Sequence, residues 1–412
     1  MGGKTSFSPH FYCFCYSTHM NILAIETSCD DTAISIISSD MQSESPNFQV
    51  LSDLVISQIE IHAEYGGVFP ALAKREHAKN LTPLLAKALG EANLSITGSH
   101  SNNDNNQEIK EILAREPELF DALTTFFAEI EKPNIGAIMV TYGPGLAPAL
   151  WVGVNFARAL SVVWDIPIVP VNHMEGHIAS ILLKENYLDE KQALLPIDDF
   201  RFPMLSLLIS GGHTQLVLIK NWGEYEIVGE SIDDAVGEAF DKAGRMLGME
   251  YPGGPKISKA AVSGVENESI NLPRPMLNTK DYRFSFSGLK TAVRYLVEDL
   301  KEHDNFNDQV IADVAREFEH AVTEVLIKKT SKAIEEYGAE GLIIAGGVSA
   351  NTFITEAFKE KVQEYGIPLY LPERKLCGDN SLMIATAGFI HYWKNKTTIP
   401  QSELVAVGNL KL

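Results

Sequence analysis

One arrangement of elements occurs twice, in the same order, along a chain of 412 residues. Ile22 to Ile25 and Thr32 to Ile37 read as two strands around a polar turn, Glu26-Thr27-Ser28-Cys29-Asp30-Asp31. Leu205 to Ser210 and Thr214 to Lys220 read the same way around Gly211-Gly212-His213. Apolar runs bounded by turn residues mark such hairpins. Each hairpin is followed by a buried strand, a glycine turn and a helix. In the first half these are Ile135 to Thr141, Gly143-Pro144-Gly145 and Ala147 to Trp164. In the second they are Gly341 to Ala345, Gly346-Gly347 and Asn351 to Tyr365. Strands alternating with helices build a layered α/β fold, and the repeat at this distance reads as an internal duplication. The chain is therefore predicted to form two related α/β lobes. The first is placed at 21–170, with a polar insertion at 95–131, and is completed by a C-terminal helical segment at about 378–412. The second is placed at 171–377.

Composition narrows the class. With 45% hydrophobic and 21% charged residues the chain can bury large cores, and general disorder is excluded. No run approaches 18 apolar residues, so no membrane-spanning helix is expected. Cys13, Cys15, Cys29 and Cys377 form no C-x-x-C pair, which excludes a disulfide scaffold and argues against a cysteine zinc site. The net charge of −20 argues against a non-specific phosphate binder. Part of that charge is local, because 95–131 holds eight acids and two bases and reads as a solvated surface insertion, with helical periodicity over 109–130. Residues 1–20 carry one Lys and no acid, and are rich in hydroxyl and aromatic side chains. They suit either a transit peptide or a disordered extension, and Met20 is an alternative start.

The segment Val171-Asn172-His173-Met174-Glu175-Gly176-His177 carries the most chemistry. Histidines at i and i+4 lie one helical turn apart, so both can reach one metal ion. In a zincin the Glu directly follows the first His; Glu175 stands two residues on, which counts against a zinc protease. Asp379, just before a helix predicted from about Leu382 to Tyr392, is either a further metal ligand or an N-cap. Three glycine-rich turns, Ser210-Gly211-Gly212, Pro252-Gly253-Gly254-Pro255 and Gly346-Gly347, can bring backbone N–H groups close to a phosphate. Neither G-x-x-x-x-G-K-[ST] nor G-x-G-x-x-G is present. Asp234, Glu238 and Asp241 fall near one helix face, as a solvated acidic face or a site for ligand hydroxyls.

Together the motifs ILAIETSCDDT, QIEIHAEYGGVFPALAKREH, TYGPGLAPALWVG, VNHMEGH, LLISGGHTQL, GESIDDAVGEAFDKAGRMLG, YPGGP, FSFSGLKTAV, IAGGVSAN and DNSLMIA closely resemble the TsaD/OSGEP family of tRNA N6-adenosine threonylcarbamoyltransferases, over about 21–389. The resemblance implies the duplicated two-lobe fold of actin, chaperone ATPases and sugar kinases, with ligand in the cleft. It implies transfer of threonylcarbamoyl from threonylcarbamoyl-AMP to N6 of adenosine 37 in tRNAs reading codons that begin with A. By position it makes His173, His177 and Asp379 ligands of one divalent metal, iron or zinc. It places Leu208, Ile209, Ser210, Gly211 and Gly212 against the adenylate, and Asp241, Gly254 and Asn351 at further substrate contacts. No catalytic base is assigned; His213 is near enough in sequence to consider.

The resemblance also implies that a separate synthase supplies the donor. Asn172 stands where bacterial members commonly carry His. With the leader and the insertion, that favours an organelle version, expected in the mitochondrion (alternatively the cytoplasm) and working as a homodimer. RNA contact then falls to local basic clusters, Lys74-Arg75 with His77 and Lys79, or Arg283, Lys290 and Arg294. The competing readings are a metallo-endopeptidase, an actin-fold kinase or ATPase, and a non-catalytic scaffold.

Overall fold

The computed structural model describes residues 19–43, 45–98, 106–183 and 192–412. The leader reading therefore lies almost wholly outside the described residues. Strands β1 (His19–Glu26), β2 (Asp31–Asp40) and β3 (Asn47–Ser57) form an antiparallel meander. On the other side of β1, β4 (Ala137–Gly143) and β5 (Ile168–Asn172) add in parallel. A short strand, β6 (Gln192–Leu194), pairs with β3. The second sheet repeats the plan. β7 (Met204–Ile209), β8 (Thr214–Asn221) and β9 (Glu224–Glu230) form the meander. β10 (Leu342–Ala345) and β11 (Leu369–Tyr370) add in parallel beside β7. Strand orders β5-β4-β1-β2-β3 and β11-β10-β7-β8-β9 thus correspond position by position.

Parallel neighbours need a crossover, and helices supply it. In the first half α1 (Ile59–Ala63) and α2 (Pro70–Glu91) follow β3, and α3 (Asn106–Ile112) and α4 (Pro117–Glu129) precede β4. Then α5 (Ala147–Trp164) joins β4 to β5, and α6 (His173–Ala179) follows β5. In the second half α7 (Val236–Met246), α8 (Gly253–Ala261), α9 (Ser287–Glu302) and α10 (Asp308–Tyr337) separate β9 from β10. Finally α11 (Thr352–Tyr365) joins β10 to β11, and α12 (Ser381–Asn395) follows.

Strand side chains alternate between faces, and the cores follow that alternation. Leu23 and Ile25 pack outward with α2, α4 and α5, whereas Ile22 and Ala24 pack inward with α6 and α12. In β7, Leu205, Leu207 and Ile209 pack outward with α7, α10 and α11, and Met204 and Leu208 pack inward. The two sheets therefore share one central apolar layer built on α6 and α12, the duplicated actin-like two-lobe architecture that the repeat predicts.

Three details differ from the sequence reading. The chain passes from one sheet to the other between Leu194 and Met204 rather than at 170/171, since β6 still pairs with the start of β3, at Asn47 to Gln49. The described part of the 95–131 insertion is not simply a solvated loop. Ile109, Leu113, Leu119, Leu123, Phe126 and Phe127 are buried, and α3 and α4 pack on α5 and α2. One face carries the acids while the other closes the first lobe. Finally, α5 has the length and a mean hydropathy (1.2) that a membrane span requires, yet 72% of it is buried inside the first lobe. It is a core helix.

Candidate active site

The strand–helix junction at Asn172 sets the first part of the site. Asn172 caps α6, its Oδ1 accepting from Met174 N at 2.9 Å and Glu175 N at 3.4 Å. That starts the helix at His173, so His173 and His177 project from one face with ring centroids 4.7 Å apart. Asp379 reaches the pair from the loop before α12. Its Oδ1 lies 3.4 Å from His173 Nε2 and 3.3 Å from His177 Nε2. Asn380 caps α12 by accepting from Met383 N at 2.9 Å, so capping does not require Asp379. One ligand atom from each of His173, His177 and Asp379 falls within 4.8 Å of the others.

The donor set fits a divalent cation. His177 is fully buried; among the described residues its Nδ1 has no hydrogen-bond partner and its Nε2 meets only Asp379 Oδ1, an under-satisfied state that a ligand would relieve. Asp379 is 21% exposed, which opens the cluster to the cleft. Burial by itself would depress the His173 pKa, but the carboxylates of Asp379 and Glu26 outweigh it and push it up to about 9. Burial opposes ionisation of Asp379 too, yet the neighbouring His173 and His177 hold its carboxyl well below the usual range. The pocket attracts positive charge. Two imidazoles and one carboxylate suit Fe(II) or Zn(II).

Glu175, the residue a peptidase reading needs as its base, points elsewhere. Its carboxylate accepts from Tyr225 Oη at 2.9 Å and contacts His391 Nε2 at 2.8 Å. Both oxygens are thereby engaged away from the cluster. A Glu175→Gln protein is expected to keep transfer activity within about tenfold of wild type, since it loses only supporting hydrogen bonds. Rates for the two proteins check this, and a complete loss would return Glu175 to the chemistry.

The second lobe holds a pocket of about 440 Å³, and its lining residue Gly211 lies two positions from His213, whose imidazole feels the charges of His173, His177 and Asp379. Gly211, Asp241, Gly254 and Asn351 all line it, with Lys259 and Arg374 at its wall. The remaining expected contacts divide. Leu208 and Ile209 are buried in the two cores, so their side chains do not line the pocket. Ser210 closes the hairpin turn, donating from its N–H to His213 O at 2.9 Å and accepting at Oγ from His213 N at 3.1 Å. Among the described residues, the N–H groups of Gly211 and Gly212 have no protein partner, and a Cβ on either would meet open space. Asp241 accepts from Gly253 N at 2.8 Å and Gly254 N at 3.3 Å, which ties the third glycine turn to α7.

Asn351 is busier than the sequence suggests. Its Oδ1 caps α11 through Ile354 N at 3.0 Å, and its Nδ2 donates to Glu319 Oε1 at 2.7 Å and Ser258 Oγ at 2.8 Å. Glu319 was missed in the sequence; its signal is an acid set between Phe318 and Val322 among the buried residues of α10. Glu26 was missed too, though an acid ending the apolar run Ile22 to Ile25 marks it. Its Oε2 lies 3.2 Å from His173 Nδ1. The acidic face does not act as one cluster: Asp234 pairs with Lys242 and Lys290, each at 2.9 Å, and Glu238 with Lys242 at 2.6 Å, while Asp241 turns to the pocket. His213 is held neutral, its pKa pushed down to about 4 by burial and by His173 and His177.

The basic clusters also thin out. Lys74 pairs with Glu116 at 2.9 Å, and Arg283 pairs with Asp281 at 2.6 Å. Arg75 and Lys79 stay exposed, but His77 is fully buried. Its Nε2 donates to Cys29 O at 3.0 Å and its Nδ1 lies 2.8 Å from Thr32 Oγ1, so it clamps the first hairpin turn to α2. Burial pushes its pKa down to about 4. The unfolded chain then binds more protons than the folded one between about pH 6.5 and 4. Stability from this group is full above that window and falls as the pH drops through it, by about 3 kcal/mol in all. Denaturant melts from pH 7 to 4 should show a smaller slope for His77→Gln than for wild type.

Two duplicated α/β lobes, a His–His–carboxylate cluster whose ligand atoms could hold a metal ion and a glycine-lined pocket in the second lobe define the class of protein. The family model described as TsaD, tRNA N6-adenosine threonylcarbamoyltransferase, matches residues 49–99 and 118–386, which include all eleven expected site residues. A tRNA N6-adenosine threonylcarbamoyltransferase of Persephonella marina is 39% identical over 387 residues, 93% of each chain. One of Thermosipho africanus is 39% identical over 393 residues, 95% of this chain and 100% of that one. A crystal structure of full-length HypF in the phosphate- and nucleotide-bound form aligns with a TM-score of 0.49 and 12% identity, covering 90% of this chain and 46% of that one. The chain belongs to the TsaD family of tRNA N6-adenosine threonylcarbamoyltransferases.

Proposed function

We propose that this protein transfers the threonylcarbamoyl group of threonylcarbamoyl-AMP to N6 of adenosine 37 in tRNAs reading codons that begin with A, releasing AMP. The observation that supports the reading is the gathering of Gly211, Asp241, Gly254 and Asn351 around one pocket in a chain that also brings His173, His177 and Asp379 together. These three residues would hold one divalent ion, iron or zinc. Such an ion supplies Lewis-acid polarisation and neutralises phosphate charge.

The rest follows from the chain itself. The unpartnered N–H groups of Gly211 and Gly212 can donate to the phosphate of the departing AMP, and preorganised donors of this kind stabilise charge as it develops. The Asp241 carboxylate lines the pocket, where it can accept from ribose hydroxyls. Asn351, held by Glu319 and Ser258, keeps the pocket wall in register. Holding the mixed anhydride and the adenine amine together in the cleft lowers the barrier by proximity.

Purified protein loaded with Fe(II) or Zn(II), threonylcarbamoyl-AMP and unmodified tRNA tests the proposal: threonylcarbamoyl-adenosine should form in the RNA. Its absence with either metal and an intact fold would overturn the reading. Two attributes rest on the sequence resemblance, a homodimer and a mitochondrial address. Sedimentation of the purified protein tests the first and cell fractionation the second.

A further inference from the structure

Glu26 ends β1 with a fully buried carboxylate. Its Oε2 lies 3.2 Å from His173 Nδ1 and also accepts from Thr141 Oγ1, at the end of β4. Its Oε1 accepts from Ser28 N at 2.5 Å. Ser28 Oγ adds a second contact to the same imidazole nitrogen, at 3.2 Å. The carboxylate is thus fixed by two neighbouring strands and by the hairpin turn, and it faces the one ring nitrogen of His173 that points away from Asp379. His177 is built differently: among the described residues its Nδ1 has no hydrogen-bond partner.

We infer that Glu26 is a positioning residue for metal binding: it anchors His173 Nδ1–H, so that Nε2 is the nitrogen turned to Asp379 and presented to a cation. The proton on Nδ1 stays, hydrogen-bonded to Glu26 Oε2, while the proton on Nε2 leaves to solvent as the cation takes that electron pair. An anionic partner also makes the imidazole a stronger donor, an effect worth 10- to 100-fold in metal affinity at comparable sites. The two histidines are therefore unequal ligands. His173 is pre-oriented by a carboxylate and two strands, and His177 is oriented only by packing.

The inference rests on reading His173, His177 and Asp379 as metal ligands, and the experiment separates the two claims. Zn²⁺ affinity of the metal-free full-length protein is measured by competition with a chromophoric chelator. The proteins are wild type, Asp379→Ala, His173→Ala, Glu26→Gln and the double variant Glu26→Gln/His173→Ala, each checked for a native melt. Glu26→Gln keeps the shape but loses the charge, and should weaken Zn²⁺ binding 10- to 100-fold. In the His173→Ala background the same change should have almost no effect, because its route to the metal is gone. A merely structural Glu26 would weaken binding equally in both backgrounds, and that result overturns the inference. So does unchanged affinity in Glu26→Gln when Asp379→Ala and His173→Ala bind poorly. If those two variants bind Zn²⁺ as wild type does, the metal reading itself fails.

Discussion

The Asp379→Ala protein is expected to melt as wild type does and to lose threonylcarbamoyl transfer by on the order of a thousandfold. The stability half follows from the cap: Asn380 accepts from Met383 N at 2.9 Å, so α12 keeps its N-terminal hydrogen bond without Asp379. The activity half follows from the cluster. Asp379 is its one carboxylate, 3.3 and 3.4 Å from the two imidazoles, and without it two histidines alone must hold a divalent ion. Losing several kcal/mol of Lewis-acid stabilisation corresponds to about three powers of ten in rate. The competing reading of Asp379 as a helix cap expects the reverse, a loss of about 1 kcal/mol in stability with activity retained. Tritium-threonine labelling of unmodified tRNA beside a thermal melt decides between them.

Two adjacent glycines should give opposite phenotypes. Gly346 has φ +92°, and a Cβ there would stand 2.6 Å from the carbonyl oxygen of Ile209. Gly346→Ala therefore meets both backbone strain and a backbone clash, and should lose about 3 kcal/mol of stability. For a chain of 412 residues that is about 3 °C or more in melting temperature. The neighbouring Gly347 lines the pocket, and a Cβ there meets nothing within 4 Å. Gly347→Ala should melt within about 1 °C of wild type while raising KM for threonylcarbamoyl-AMP, since the added methyl projects into the ligand's space. Equal melting temperatures for the two variants would refute the account of how β10 abuts β7.

Close approach governs this region more widely. A Cβ on Gly237 would stand 2.6 Å from Ser210 O, so α7 can touch the Ser210–Gly212 turn only because that residue is glycine. The glycine-rich turns were visible in the sequence as turns. Which of them press on backbone and which face open space was not, because both kinds look alike until their neighbours are placed.

The sequence by itself determined the local elements and the duplication. Hydrophobic runs of strand length, broken by Gly-Gly or a polar turn, depend only on local periodicity, and β1, β2, β7, β8 and α5 all stand where those runs lie. The i, i+4 histidine pair was legible for the same reason, since helical geometry carries both rings to one side. Only the tertiary structure decided what those side chains face. Asp379 lies 202 residues from His177 in the numbering, and no local rule distinguishes a ligand from a cap there. His77 looked like part of a basic patch and became a buried clamp because α2 folds over the first hairpin turn. Glu175 stood off the position of a zincin base in the sequence, and only the fold shows what its carboxylate does instead, meeting Tyr225 and His391. In each case a polar side chain had several local uses, and burial with its distant partners selected one, because an unpaired polar group in a core is too costly to leave.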